Sequence, residues 1–332
     1  MKRILVTGGL GYIGSHTCVA LAEAGYHPVV IDNLRNSRLS VKTAIEEITG
    51  KPLEFYQLDA KNTSSISERI ENIDGIIHFA ALKSVIESIE KPTEYYTENL
   101  ESLLSIIEIA NRMKAKSFIF SSSATVYGDT KERCVAEDFP IGRPLNPYGH
   151  TKILGEKILR SGKHEFKTII LRYFNPVGAH ESGKIGELPN GIPNNLVPYI
   201  TQVAAGKRES LTVFGDDYNT KDGTCVRDFI HVVDLAEAHV AALDYSQKMN
   251  EQSDIFNVGT GEGKTVLEII ETFEKINNLK LNFSFGKRRE GDIDAIYTNT
   301  LKIESKLKWK AKKPLYTAMK DSWNWESLIN NL

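Results

Sequence analysis

A short apolar run, Ile4-Leu5-Val6-Thr7, passes directly into Gly8-Gly9-Leu10-Gly11-Tyr12-Ile13-Gly14 and then into an amphipathic stretch over residues 15–24. Few folds accept that order. Successive apolar residues suit a parallel strand covered on both faces. Gly8, Gly11 and Gly14, three residues apart, permit a tight turn and close backbone approach to a pyrophosphate at a helix N-terminus. A lone glycine cluster is often only a turn. The strand before this one and the helix after it make it a dinucleotide loop. A second apolar strand over 28–31 ends at Asp32. A carboxylate about 20 residues past the loop binds a ribose diol and repels a 2′-phosphate, so NAD is expected over NADP. Arg35, close by, is the one feature that pulls the other way.

The alternation continues, with strands expected over 53–58, 75–79, 117–120 and 167–174 and a long helix over 93–114 behind Pro92. The expected fold class is therefore α/β: a doubly wound parallel (Rossmann) sheet with right-handed crossovers and a smaller C-terminal substrate-binding domain. The division expected is 1–175 and 176–332, with about 227–260 packing back on the first part. Asp59 ends one strand and reads either as a partner for an adenine amine or as a cap. Small residues at Ala80-Ala81 let backbone approach a cofactor, and Lys83 can reach a ribose or a phosphate. Asn99 interrupts an apolar helix face and needs partners from the loops above the sheet.

The chemistry is sought at Tyr148 and Lys152. A helix is expected over 151–160, behind a proline-rich loop at 143–147. Residues four apart share a helix face. A nearby ammonium favours phenolate, so the tyrosine should fall from its usual value of about 10. Tyr127 with Lys131 and Tyr316 with Lys320 repeat the spacing, but the first reads as a turn and the second as a surface helix. Tyr148 alone follows a serine-rich strand end, Ser121-Ser122-Ser123, from which Ser123 can bond the same substrate hydroxyl.

Glycine, proline and asparagine crowd 178–198, which reads as a binding loop. Helices are expected over 196–205, 231–245 and 265–277, and strands over 211–214 and 255–258. Trp309, Trp323 and Trp325 read as packing residues, and Arg227 and Arg289 either as bidentate phosphate partners or, each taken alone, as surface salt-bridge residues. The net charge of -2 gives no field for nucleic acid. Three scattered cysteines, Cys18, Cys134 and Cys225, suit a reducing compartment and offer no metal spacing. No apolar run is long enough for a membrane span, and the first residues enter a strand at once, so a cytoplasmic protein is expected.

Several runs, taken together, resemble one family. They are Thr7-Gly8-Gly9 through Ser15-His16, Ser121 to Gly128 (SSSATVYG), 171–179 (LRYFNPVGA), 191–196 (GIPNNL), Asp222-Gly223-Thr224 with Val226-Arg227-Asp228, and 288–292 (RREGD). In that order they are similar to the UDP-glucose 4-epimerases of the extended short-chain dehydrogenase/reductase superfamily. The resemblance implies interconversion of UDP-glucose and UDP-galactose at C4 through a transient 4-keto sugar, with NAD held through the cycle. It puts Tyr12, Ile13, Asp32, Asn33, Asp59, Ala60, Phe79, Ala80, Lys83, Asn99 and Phe174 at cofactor positions, beside the glycines. It puts Ser123, Tyr148 and Lys152 at catalytic positions, with Lys152 also at the nicotinamide ribose. Asn175, Asn195 and Leu196 would face the sugar and phosphates, Val213 and Phe214 the uracil, and Asp292 a ribose hydroxyl. Ile296 would border the sugar pocket where other members carry tyrosine, which implies room for N-acetylated sugars. A homodimer is implied too, through a four-helix bundle of the 93–114 helix and the helix after Tyr148. Ala81 replaces an expected glycine, and Arg35 and His150 are uncommon choices, but no functional group is lost. A dehydratase of the same fold would need a carboxylate beside the serine position, and Ala124-Thr125-Val126 supplies none. A non-catalytic NAD sensor would be expected to lose the tyrosine or the lysine.

Overall fold

The computed structural model describes residues 1–289 and 292–331. Glu290 and Gly291, part of one matched run, and Leu332 lie outside the described residues. The chain begins with β1 (Arg3–Thr7), α1 (Tyr12–Glu23), β2 (His27–Asp32), α2 (Ser40–Thr49), β3 (Glu54–Gln57), α3 (Thr63–Arg69) and β4 (Gly75–His78). It continues through α4 (Val85–Glu90), α5 (Pro92–Arg112), β5 (Ser117–Ser123), β6 (Cys134–Val135), α6 (Pro147–Ser161), β7 (Lys167–Tyr173) and β8 (Asn175–Val177). The remainder is α7 (Leu196–Ala204), β9 (Leu211–Phe214), β10 (Val226–His231), α8 (Val232–Ser246), β11 (Ser253–Val258), β12 (Gly263–Thr265), α9 (Val266–Asn277), β13 (Phe283–Gly286), β14 (Ala295–Thr298), α10 (Leu301–Leu307) and α11 (Leu315–Asn330).

Seven parallel strands form the main sheet in the order β11-β7-β5-β4-β1-β2-β3. Alternate residues of each strand serve opposite faces. Val6, Val30, Ile77, Ile119 and Leu171 pack with Cys18, Leu21, Leu235 and Leu243 of α1 and α8. Leu5, Ile31, Ile76, Phe118, Phe120 and Ile170 pack with Leu103 and Ile106 of α5 and Leu159 of α6. This two-sided burial is the reason the strands read as unbroken apolar runs. The order reverses between β1 and β4, which opens a crevice at their C-terminal ends. Late in the chain, β11 pairs with β7, and α8 covers the sheet beside α1.

A second sheet runs β12-β10-β14-β6 with β8 on β10, and β13 pairs with β9; β8, β9 and β10 pack with α7, α9 and α11 around another core, while β6 and β14 meet a smaller cluster around Phe174. Most of these short strands are not visible in the sequence. In β10 the reason is Asp228, fully buried in mid-strand. Its carboxylate accepts from the Thr260 amide (2.9 Å) and hydroxyl (2.7 Å) and from the Gly261 amide (3.1 Å), so a charge sits where the pattern calls for an apolar residue. The strand expected over 117–120 runs on to Ser123, which sets Ser121, Ser122 and Ser123 opposite Leu171, Arg172 and Tyr173. Tyr127 lies in a turn, as expected, but a buried one. It ends a 3-10 turn, is fully buried, and donates to Asn257 Oδ1 at 2.6 Å, while Tyr316 is exposed as expected. Trp309 is buried in the main core, Trp323 meets Phe273 edge-on, and Trp325 donates its indole N–H to the Glu187 carbonyl at 3.0 Å.

Candidate active site

The nucleotide end is built by backbone. Gly8 has φ +67°, and a Cβ there would lie 3.0 Å from the Ala80 nitrogen, so the turns after β1 and β4 nearly touch. Gly11 caps α1 without any side-chain hydrogen bond, leaving the first amides of that helix for an anion. Asp32 ends β2, nearly buried, and accepts from the Leu10 and Leu34 amides at 3.1 and 2.9 Å and from Ser37 at 2.7 Å. Arg35 is ion-paired with Glu94 and lies 3.8 Å from Glu98. The one feature that favoured a 2′-phosphate is therefore engaged elsewhere. A bare helix N-terminus with a carboxylate beside it fits NAD.

Asp59 accepts from Asn33 Nδ2 at 3.1 Å and from the Lys61 amide at 2.9 Å, so it closes a turn as well as facing the crevice rim. Ala60 is buried beneath it. The Ala80 amide donates to Thr7 Oγ1 at 3.2 Å, and Phe79 rests 4.8 Å from the His239 ring. Asn99 finds its partners: Oδ1 accepts from the Leu82 amide (2.7 Å), and Nδ2 donates to the Leu82 carbonyl (3.0 Å) and Thr151 Oγ1 (3.1 Å). It ties the loop after β4 to α6. Ile13 and Tyr12 open α1, and the Tyr12 hydroxyl donates to the Gly178 carbonyl at 2.7 Å.

Asn146 caps α6 by accepting from the Gly149 amide at 2.8 Å, and Pro147 fills the first turn, where its missing N–H costs nothing. Tyr148 and Lys152 then face the end of β5. The Lys152 ammonium donates to the Ser121 carbonyl at 2.7 Å and stands 5.7 Å from the Tyr148 ring centre. The expected lowering of the tyrosine is not what this environment gives. Burial pushes the Tyr148 phenol up to about 12, against the lowering effect of the neighbouring Ser123 hydroxyl. Burial likewise lowers Lys152 to about 8, against the nearby Glu156 carboxylate. Desolvation penalises phenolate and ammonium alike, and the amine is turned towards a carbonyl.

On the opposite wall Arg227 donates to the Val226 and Ile293 carbonyls at 2.8 and 2.9 Å and lies 3.4 Å from Asp292. Arg289 Nε donates to the other Asp292 oxygen at 3.0 Å. Two guanidiniums thus share one carboxylate, leaving a net positive cluster. Arg289 also lies over the Phe214 ring, which points outward. Val213 does not. Strand alternation turns its side chain into the core, so only its main chain can meet a base. Asn195 caps the start of α7 and Leu196 begins it, and Asn175 opens β8, exposed. Phe174 and Ile296 are buried together with Val126, Tyr127 and Ile153.

Three residues escaped the sequence reading. Glu187 Oε1 accepts from both Lys83 Nζ (3.1 Å) and Asn195 Nδ2 (2.8 Å), joining the two walls. Its partners are too distant in sequence for any pattern to link them. Glu156 and Arg172 form a buried pair at 2.6 Å below Tyr148. Here the signal was available, since Glu156 follows Lys152 by the same four-residue step that joins Lys152 to Tyr148. No group of three or more His, Cys, Asp or Glu side chains suited to a metal occurs among the described residues, and no helix is long and apolar enough to cross a membrane.

Against known proteins, the model of the NAD dependent epimerase/dehydratase family matches residues 4–259. A UDP-glucose 4-epimerase of Bacillus subtilis is 50% identical over 98% of this chain and 96% of its own length. The structure of the Bifidobacterium longum UDP-glucose 4-epimerase in complex with NAD+ and UDP has a TM-score of 0.94 at 44% identity, covering 99% of each chain. That of the UDP-Glc/GlcNAc 4-epimerase of Campylobacter jejuni has a TM-score of 0.85 at 36% identity, covering 99% of this chain and 100% of its own.

The lowered Lys152 carries a stability consequence. Below about 8 both folded and unfolded chains hold its proton, and the burial cost is felt in full. Between there and an ordinary lysine's ~10.4 the unfolded chain binds more protons, so this group makes stability rise with pH. Lys152→Met should therefore be more stable at neutral pH by about 1–3 kcal/mol and lack that alkaline gain. Urea unfolding of both proteins at neutral and alkaline pH measures it. A less stable methionine variant would mean that the hydrogen bond to Ser121 outweighs burial.

Proposed function

The chain belongs to the NAD dependent epimerase/dehydratase family, and we propose that it interconverts UDP-glucose and UDP-galactose by epimerisation at the sugar C4. The observation that carries this reading is the meeting of Tyr148, Lys152 and Ser123 at the sheet's crevice, between a nucleotide loop and a doubly arginine-held carboxylate. Bound there, NAD would supply the reversible hydride chemistry at C4 that links the sugar to its 4-keto form. The first glycine loop, Asp32 and the Phe79–Lys83 stretch hold that cofactor. Tyr148 Oη takes the 4-hydroxyl proton and gives it back, and Ser123 bonds the same hydroxyl. A phenol near 12 ionises at neutral pH only with cationic help, and the Lys152 ammonium is a cation of this chain beside it. Arg227 and Arg289 bind the diphosphate, Phe214 and the Val213 main chain face the uracil, and Asp292 takes a ribose hydroxyl. Residues 1–175 serve the cofactor and 176–332 the sugar nucleotide. Anchoring the UDP leaves the hexose free to turn over. Three free cysteines suit a reducing cytoplasm. Tyr148→Phe should keep fold and NAD while losing roughly 10² to 10⁴ in turnover of UDP-galactose, followed by NMR of the products. Near wild-type turnover would remove Tyr148 from the mechanism.

The working unit is a homodimer. Leu104 on α5 and Ile86 and Ile89 on α4 are 51%, 52% and 62% exposed beside α6, a patch that a second copy covers when α5 and α6 pair across a two-fold axis. Light scattering at micromolar concentration should give a dimer mass, and a monomer would overturn the pairing.

N-acetylated UDP-hexoses are substrates too. Ile296 lies in the cluster around Phe174, and its neighbour Tyr297 faces the other side of β14, over Gly263. The acetamido group must sweep past this wall as the keto sugar turns, and overlap of a few atoms in a packed pocket costs about 1–3 kcal/mol. The Campylobacter jejuni relative, described as a UDP-Glc/GlcNAc 4-epimerase, supports such breadth within the fold. Wild type should act on UDP-N-acetylglucosamine, and Ile296→Tyr should lose that activity while keeping UDP-glucose. If wild type leaves the acetylated sugar untouched, or the tyrosine variant turns it over undiminished, Ile296 is not the gate.

A further inference from the structure

The face of α6 that carries Tyr148 and Lys152 carries a third polar residue one turn further on. Glu156 is 1% exposed, and Arg172 beside it is 2% exposed. Glu156 Oε1 accepts from Ser122 Oγ at 2.5 Å and Arg172 Nε at 2.9 Å, and Oε2 accepts from Arg172 Nη2 at 2.6 Å. Arg172 Nη1 donates in turn to the Tyr127 hydroxyl at 3.1 Å and the Glu137 carbonyl at 3.3 Å. Removing a buried ion pair altogether for well-packed apolar residues is often neutral or stabilising, so stability alone does not explain why it sits here.

Its placement does. Successive residues at the end of β5 meet the α6 face. The Ser121 carbonyl takes Lys152 and the Ser122 hydroxyl bonds Glu156, while Ser123 lies beside Tyr148. Glu156 is the member of the three that is locked from a second strand, by a bidentate guanidinium that cannot rotate away. We propose that Glu156, clamped by Arg172 and Ser122, is a positioning residue for the reaction, fixing α6 on β5 so that the Tyr148 hydroxyl and the Lys152 ammonium meet the sugar in one geometry. This rests on the epimerase reading above. The Glu156 carboxylate has a second effect through space, since it opposes the burial that lowers Lys152. Around Lys152 and Glu156, His78 on β4 is pushed down to about 3 by burial and by Lys152, and Tyr127 and Tyr173 are raised by burial; at the first turn of the helix His150 shares a 2.8 Å hydrogen bond with Tyr96 of α5. His78, Tyr127 and Tyr173 do not change charge over an assay range of about pH 6–9. Arg172 stays charged throughout, its guanidinium raised because Glu156 outweighs the burial that opposes it.

The test is Glu156→Gln, which keeps shape and one acceptor but removes the charge and the second strong bond. Wild type is assayed alongside with UDP-galactose; absence of epimerisation there defeats the epimerase reading itself. With wild type active, the variant should lose at least about tenfold in kcat with KM changed less than twofold. The alkaline limb of its pH profile should move down by roughly half to one unit. A ¹³C-lysine NMR titration should move Lys152 in the same direction. A folded variant with wild-type kcat and pH profile overturns the proposal. Should the glutamine variant fail to fold, Glu156→Met with Arg172→Met removes the pair without stranding a charge. This double variant is expected to melt near wild type yet stay at least about tenfold slow. Full activity in that protein overturns the proposal equally.

Discussion

A parallel sheet buried on both faces leaves polar chemistry nowhere to sit except at the ends of its strands. Within the strands every side chain meets an apolar layer, and an unpaired polar atom there has no water to turn to. At the C-terminal ends the layers stop. Thr7, Asp32, His78 and Ser121 to Ser123 all lie within the last residues of their strands, and Asp59 just beyond its own. The reversal between β1 and β4 splays the connecting helices apart over the same edge. Nucleotide loop, serines and the start of α6 thus converge because the strand ends admit polar groups and the β1–β4 reversal opens the crevice at the C-terminal edge.

That edge is still mostly dry, and its polar groups remain neutral or paired as a result. His78 shares a 2.8 Å hydrogen bond with Thr7 and is held far below the ordinary histidine range by burial. Asp228 is pushed up by burial and stays in place through donors from residues 260 and 261. Tyr148 and Lys152 are displaced in opposite directions by the same cause. Lys152, buried with its charge, is poorly placed for stability, and on the epimerase reading both residues are useful because their charge states answer to what lies beside them.

Local chemistry was legible in the sequence and long-range chemistry was not. The glycine loop, Asp32 and the Tyr148–Lys152 step depend on spacings within one strand-turn-helix unit or one helix, so the residue pattern alone locates them. The strands of the second sheet are short, and one buries Asp228, so alternation fails there. Arg35 looked available for a phosphate until Glu94, far along the chain, claimed it. The direction of the Tyr148 shift was misjudged for the same reason. The neighbouring ammonium is visible in a helix repeat, whereas the depth of burial is set by residues from several strands.

The two halves of the site are joined by contacts that a divided chain need not have had. Tyr12 of the nucleotide helix bonds the Gly178 carbonyl, Asn194 donates to Ser84 at 3.0 Å, and Glu187 holds Lys83 and Asn195 through one oxygen. Trp325 fixes Glu187 from the far side through its backbone carbonyl. The loop over 178–198 is therefore fastened to the first turn of α1 and to the loop after β4. Such a site cannot open one wall without disturbing the other. For a reaction in which hydride leaves and returns to a single sugar, that coupling is physically apt. A cofactor released between the two transfers would strand the keto sugar, whereas walls tied across the crevice oppose release while leaving the hexose room to turn.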